Sequence, residues 1–196
     1  MKKRQAAQQR RRRLVWGGSA LLLGALAAFV IVKFGSVDRA IQELTLPLRH
    51  DDVIRQQAVE KHVDAALIAA VIYTESKFTE ATSSAGARGL MQITPEAAKE
   101  IERLSGGTSF KLSDLSNPEI NIRYGTFLLH ELLERYEGDE VAALAAYNAG
   151  PTNADKWGGA GMSISDIPFP ETRAYVENVM QKRDEYRHRY ARELGY

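Results

Sequence analysis

The stretch Ala65-Ala66-Leu67-Ile68-Ala69-Ala70-Val71-Ile72-Tyr73-Thr74-Glu75-Ser76 (AALIAAVIYTES) is apolar for nine residues and then turns polar. A helix that is apolar all the way round must be buried on every side. Asp64 stands immediately before it, where a side-chain oxygen can cap the first free amide groups. Glu75 emerges at the far end, where the buried helix meets a loop rich in Ser and Gly (TSSAGARG, residues 82–89). A carboxyl at the edge of a hydrophobic core is partly desolvated, which disfavours its charged form and raises its pKa towards the range a general acid needs. Position alone favours a plainer reading, a Glu that marks the solvated end of a helix.

Outward from this segment, helix signals recur and strand signals do not. Asp51 to His62 has a polar, amphipathic helix pattern. Thr94-Pro95-Glu96 and Asn117-Pro118-Glu119 each place an N-cap, a first-turn proline and an acid in order, so two helices are predicted to start there. Leu128, Leu129, Leu132 and Leu133 recur at helical spacing in the second of these. Asp139 opens a short helix through Tyr147, and Glu171 to Tyr190 makes a long final one. Gly106-Gly107, Gly150-Pro151 and Gly158 to Gly161 punctuate the links. The expected fold is mainly α, with one core over residues 51–196, a length that buries about two thirds of its unfolded surface.

The beginning of the chain reads differently. Leu14 to Val32 (LVWGGSALLLGALAAFVIV) is 19 residues without a charge, and as a helix rising 1.5 Å per residue it would extend roughly 28 Å, enough to cross a bilayer. The competing reading is a signal peptide cleaved near Ala25-Leu26-Ala27. Apolar residues continue through Phe29 to Val32, longer than a usual signal core, so an uncleaved anchor is preferred. Residues 1–33 are then a basic cytoplasmic tail and one N-terminal transmembrane helix, and residues 34–50 a stem. Positive charge before the span keeps the N-terminus inside and puts the rest of the chain outside the cytoplasmic membrane.

The charge follows the same division. The formal net charge is +1, from 26 Lys and Arg against 25 Asp and Glu. Eight of the bases and none of the acids fall within Met1 to Lys33, so the remainder of the chain is acidic. An acidic bulk argues against nucleic acid as a partner, because that needs a basic footprint on the folded part. There is no cysteine, which excludes disulfides, a thiol nucleophile, Cys-based metal sites and lipid-modified cysteine. His130 and Glu134 have the spacing of a metal pair, but a solvated helix face is the better reading; no metal and no cofactor are implied.

The loop after Glu75 is the informative part. Gly86 and Gly89 let backbone approach a ligand closely, and Leu90-Met91-Gln92 puts a soft apolar contact beside an amide, a surface suited to N-acetylated sugars. Five blocks follow in order: Glu75-Ser76; Gly86-Ala87-Arg88-Gly89-Leu90-Met91-Gln92; Asn121-Ile122-Arg123-Tyr124-Gly125; Ala146-Tyr147-Asn148-Ala149-Gly150; and Pro170-Glu171-Thr172-Arg173-Ala174-Tyr175-Val176. Together they resemble the SLT catalytic domain of lytic transglycosylases, of the goose-type, lysozyme-like group.

That resemblance implies a helical, lysozyme-like domain with a long groove for a glycan strand. It also implies cleavage of the β-1,4 bond between N-acetylmuramic acid and N-acetylglucosamine in peptidoglycan, without water, leaving a 1,6-anhydro end. By the same carry-over Glu75 is the catalytic acid and base, and Ser83, Met91, Gln92, Tyr147, Asn148 and Glu171 contact substrate. Asn148 also suits a role holding the backbone, and Asn121 and Tyr124 of the third block read as structural. The family often places the N-acetyl-contacting Ser nine residues after the Glu. Here Ser83 is eight residues on and Ser84 nine, so the loop is one residue short; Ser83 keeps the register of the glycine block.

Two alternatives stand beside this reading. A hydrolase of the same fold would need a second carboxylate holding a water roughly 6.5–9.5 Å away, and Glu80, Asp114 and Glu171 are the acids near the matched blocks. A non-catalytic module would use the same groove only to hold glycan.

Overall fold

The computed structural model describes residues 43–84, 86–106 and 111–196. Leu14 to Val32, the expected anchor, lies outside these residues; among the described residues no helix is long and apolar enough to cross a membrane. Leu46 to Tyr196 forms one compact unit.

Its elements are α1 (Asp51–Lys61), α2 (Ala65–Ser76), α3 (Pro95–Ser105), α4 (Pro118–Arg135), α5 (Glu140–Ala149), α6 (Pro151–Lys156), α7 (Pro170–Arg189) and α8 (Ala191–Leu194), with 3-10 turns at Leu112–Ser116 and Ile164–Asp166. The starts follow from side-chain caps that satisfy otherwise free amides. Asp64 accepts from Ala66 N at 2.9 Å, Thr94 from Ala97 N at 3.1 Å and Asn117 from Glu119 N at 2.9 Å. Asp139 accepts from Val141 N at 2.9 Å. Proline in the first turn of α3, α4, α6 and α7 costs nothing there, because its missing N–H would have had no helical partner.

Helix α2 is the axis of the fold. Every residue from Ala65 to Ile72 is buried, and its most extensive neighbour is α7, with α1 on another side. Helix α4 packs on α1 and α5, and α5 on α6 and α7. The buried Leu67, Ile68, Val71 and Ile72 each contribute about 1.5–3 kcal/mol of burial, which fixes the rod that carries Glu75. The only strand-like pairings among the described residues are the isolated bridges Thr82–Arg88 and Arg88–Ile93, which crease the loop after α2.

Two boundaries differ from the sequence reading. Gly150-Pro151, read as a link, starts α6: Gly150 takes a positive φ of 85° and Pro151 occupies the first helical position. The folded unit also begins inside the expected stem. Leu46 is 1 % exposed, the Tyr190 hydroxyl donates to Leu46 O at 2.7 Å, and the Tyr186 hydroxyl donates to Pro47 O. At the other end, the Tyr196 hydroxyl and Arg187 both bond Asp64, so the end of the chain braces the start of α2.

Candidate active site

Glu75 sits in the last turn of α2 and is half-buried. The helix stops directly after it: Lys77 and Phe78 adopt φ of 52° and 60°, a left-handed pair that is rare outside glycine and reverses the chain. Phe78 is held there by burial, its ring centroid 6.1 Å from that of Tyr186. Ser76 secures the turn to the next segment. Its hydroxyl faces both Leu90 O at 2.7 Å and Ile72 O at 3.1 Å.

The glycine block is pinned from beneath by Asn121 of α4, which is fully buried. Asn121 Oδ1 accepts from Met91 N at 2.8 Å, and Nδ2 donates to Arg88 O at 2.8 Å and Leu115 O at 3.1 Å. Gly89 approaches so closely that a Cβ there would lie 2.2 Å from Asn121 Nδ2 and 2.6 Å from Leu115 O, at a φ of 73°. From the side, the Tyr147 hydroxyl donates to Met91 O at 3.0 Å. The loop is therefore tied to α2, α4 and α5 at adjacent residues.

Electrostatics single out one group. Burial pushes the Glu75 carboxyl from 4.5 up to about 7, opposed by the Tyr175 hydroxyl of α7, which favours the ionised form. Neither a cation nor a second carboxylate among the described residues contributes to this shift. Tyr175 is buried and its hydroxyl has no partner in full hydrogen-bonding geometry, although it stands close enough to Glu75 for each to perturb the other. Burial first, and then the Glu75 charge, push Tyr147 and Tyr175 well above the ordinary tyrosine range. Both remain neutral phenols beside a carboxyl poised between its two forms.

The expected contact residues divide. Glu75, Tyr147 and the Met91 backbone come together. The Met91 side chain, expected to face substrate, is instead fully buried: a Cβ at Gly125 would meet its Sδ at 2.3 Å, so Gly125 of α4 leaves the space the thioether fills. Gln92 is half-buried at a φ of 46°, with Nε2 donating to Ala81 O at 3.0 Å and Gly89 O at 2.8 Å. Ser83 is half-buried and its hydroxyl accepts from Ala87 N at 3.1 Å, while Ser84 is exposed. Asn148 is exposed and accepts from the Thr172 hydroxyl at 2.8 Å, joining the end of α5 to the start of α7. Glu171 is exposed in the first turn of α7, where free amide groups favour an acid.

Ser76 and Tyr175 lie within the matched blocks, and neither has a role legible from sequence. Tyr175 had a signal: Thr172, Tyr175, Val176 and Val179 share one face of α7, and all four are buried. Among the described residues no group of three His, Cys, Asp or Glu is placed to hold a metal.

Residues 52–167 match the family described as Transglycosylase SLT domain. The chain is 32 % identical over 155 residues to the soluble lytic murein transglycosylase of Salmonella typhimurium, covering 74 % of this chain and 24 % of that protein. Among solved structures, an inactive Glu-to-Gln mutant of lytic transglycosylase Slt from Pseudomonas aeruginosa is similar with a TM-score of 0.71 at 32 % identity, covering 76 % of this chain and 26 % of that one. The 70 kDa soluble lytic transglycosylase from Escherichia coli is similar with a TM-score of 0.70 at 30 % identity, over 74 % and 25 % of the two chains. The chain thus spans about a quarter of the length of these relatives.

Proposed function

The chain belongs to the Transglycosylase SLT domain family, and from that membership we propose that it is a peptidoglycan lytic transglycosylase. It cleaves the β-1,4 bond between N-acetylmuramic acid and N-acetylglucosamine and leaves a 1,6-anhydro end, with Glu75 as the single acid and base. The observation that carries this reading is Glu75 itself: a carboxyl at the end of a buried helix, pushed to about 7 by burial, with no second carboxylate contributing.

Near neutral pH a large share of Glu75 is protonated and donates to the glycosidic oxygen as positive charge grows at the anomeric carbon. The sugar's own N-acetyl carbonyl stabilises that charge, so no enzyme nucleophile is required. The ionised Glu75 then takes the proton of the C6 hydroxyl, whose oxygen closes onto the anomeric carbon. A pKa near working pH suits both halves of this cycle. Tyr175 favours the ionised form that follows proton donation, and Tyr147 holds the loop against α5. Ser83, Gln92, Asn148 and Glu171 contact the glycan from the loop and from the junction of α5 and α7, whereas Met91, fully buried, supports the loop from within.

The folded unit works outside the cytoplasmic membrane, held by a single Leu14 to Val32 helix with the basic N-terminus inside. The uncharged 19-residue run and its flanking bases support this topology.

Digestion of purified peptidoglycan followed by mass spectrometry tests the chemistry. Anhydro ends, one water lighter than reducing ends, are expected, and reducing ends would establish hydrolysis instead. Glu75→Gln should lower the rate about 100- to 10,000-fold, the usual contribution of a general acid. Undiminished cutting by that variant overturns the mechanism.

A further inference from the structure

Beside the catalytic loop lies a cleft of about 180 Å³ lined by Glu80, Ala81, Thr82, Gly89 and Ser116. Its floor is the buried Gly89, which Asn121 and Leu115 O hold in place, and its rim is exposed. Gln92 crosses behind it, bonding Ala81 O and Gly89 O together. The cleft is thus framed by the same loop that Ser76 ties to the Glu75 helix. A cavity of about 150 Å³ accommodates benzene, so this space admits an alkyl arm of several heavy atoms with a polar head.

Its chemistry is one-sided. Glu80 is the sole charged residue of the lining, and it has no ion-pair partner among the described residues. The neighbouring cation, Arg88, directs a guanidinium nitrogen to Leu112 O at 3.4 Å, at the other end of the 3-10 turn from Ser116. Thr82 and Ser116 add hydroxyl oxygens that accept. An ammonium group has three donors and no acceptor, which matches one carboxylate and two hydroxyls around a space of this size. A carboxylate ligand would be repelled by Glu80.

We propose that this cleft is a subsite for a primary ammonium group on the peptide carried by the glycan strand, with Glu80 as its counter-ion. The subsite rests on the proposed peptidoglycan reading and adds a preference for stem peptides that bear a free side-chain amine.

The test uses a soluble disaccharide-peptide with a free lysine ε-amine and its N-acetylated counterpart, each titrated onto the full chain and followed by backbone amide shifts. The amine form should perturb Glu80, Thr82, Gly89 and Ser116, and should bind about two- to five-fold more tightly than the acetylated form, the range of a partly exposed ion pair. Glu80→Gln should erase that difference. Equal binding of the two forms by the unaltered protein overturns the subsite, as does an unchanged preference in Glu80→Gln. Parallel digestion of native and amine-acetylated peptidoglycan separates this result from the activity itself. Cutting with no amine preference sinks the subsite and leaves the activity standing. Amine-dependent binding without any cutting sinks the activity and leaves the subsite. Equal loss of cutting by Glu80→Gln on both substrates assigns Glu80 to the chemistry and overturns the proposal.

Discussion

A carboxyl whose pKa is raised to about 7 carries a stability cost at neutral and alkaline pH. Glu75 ordinarily ionises at 4.5 and in the fold at about 7, so between those values the folded state holds a proton that the unfolded chain has released. Stability from this group is complete below about 4.5 and is lost as pH rises through 7. At about 1.36 kcal/mol per unit, the ionised folded state is penalised by at most about 3 kcal/mol. Glu75→Gln, neutral and of the same shape, should therefore raise stability by up to about 3 kcal/mol at alkaline pH and change little in acid. Urea unfolding at the two extremes measures this, and an equal gain at both would show that the carboxyl is not desolvated. Tyr175 acts on the same equilibrium with the opposite sign, because its hydroxyl lowers the Glu75 pKa. The proposed chemistry needs the protonated acid, so activity should decline as pH rises through about 7, and Tyr175→Phe should move that decline to higher pH. A profile that keeps its midpoint while kcat falls would give Tyr175 a purely structural role.

At the scale of elements, the loop after Glu75 depends on one amide. Asn121→Ala leaves Met91 N and Leu115 O without a partner inside the protein, and Arg88 O with only its bond from Ile93 N. Buried polar groups left unpaired cost about 1–3 kcal/mol each, so a loss of about 3–5 kcal/mol is expected, with activity falling as the loop loosens; denaturant unfolding and a digestion assay read the two effects. Gly89→Ala should be comparably damaging from the other side of the contact, since the new methyl group meets Leu115 O as well as the Asn121 amide. The capped helix starts were legible in sequence because a cap and its amides are close neighbours: Asp64, Thr94, Asn117 and Asp139 all do what their positions suggest. The packing around the candidate site left little trace in the sequence, because its contacts join distant residues. Asn121 could be read as structural, yet the loop it holds lies 30 residues earlier. The space that takes the Met91 side chain is provided by Gly125 on another helix, and Tyr175 meets Glu75 through the packing of α7 on α2. None of these pairings leaves a periodic trace along the chain. Helix α6 escapes a sequence reading for a different reason: the six residues from Pro151, directly after Gly150, look like a link, and Pro at the first helical position serves either purpose.

At the scale of the whole molecule, near-neutral charge conceals an uneven distribution, with eight bases and no acid in the first 33 residues and an acidic remainder. The proposed topology assigns the first part to the membrane and the second to the wall, which raises the question of where the wall-facing unit can be separated. The boundary read from sequence, at Asp51, is five residues too late by the packing. Leu46 is buried, and the Tyr190 and Tyr186 hydroxyls of α7 and its C-terminal cap lean on the carbonyls of Leu46 and Pro47. Cutting at Asp51 removes an apolar side chain whose burial is worth about 1.5–3 kcal/mol. It also strips two part-buried hydroxyls of their acceptors, at about 1 kcal/mol or more each. A fragment of residues 46–196 should therefore fold and cut peptidoglycan in solution, free of the apolar run, whereas residues 51–196 should be about 3–5 kcal/mol less stable. Because α7 also carries Tyr175, the shorter fragment should lose activity on warming before the longer one does. Denaturant midpoints and digestion rates of the two fragments across a temperature series decide this, and equal midpoints would mean that the Leu46–Pro47 segment contributes nothing to the fold.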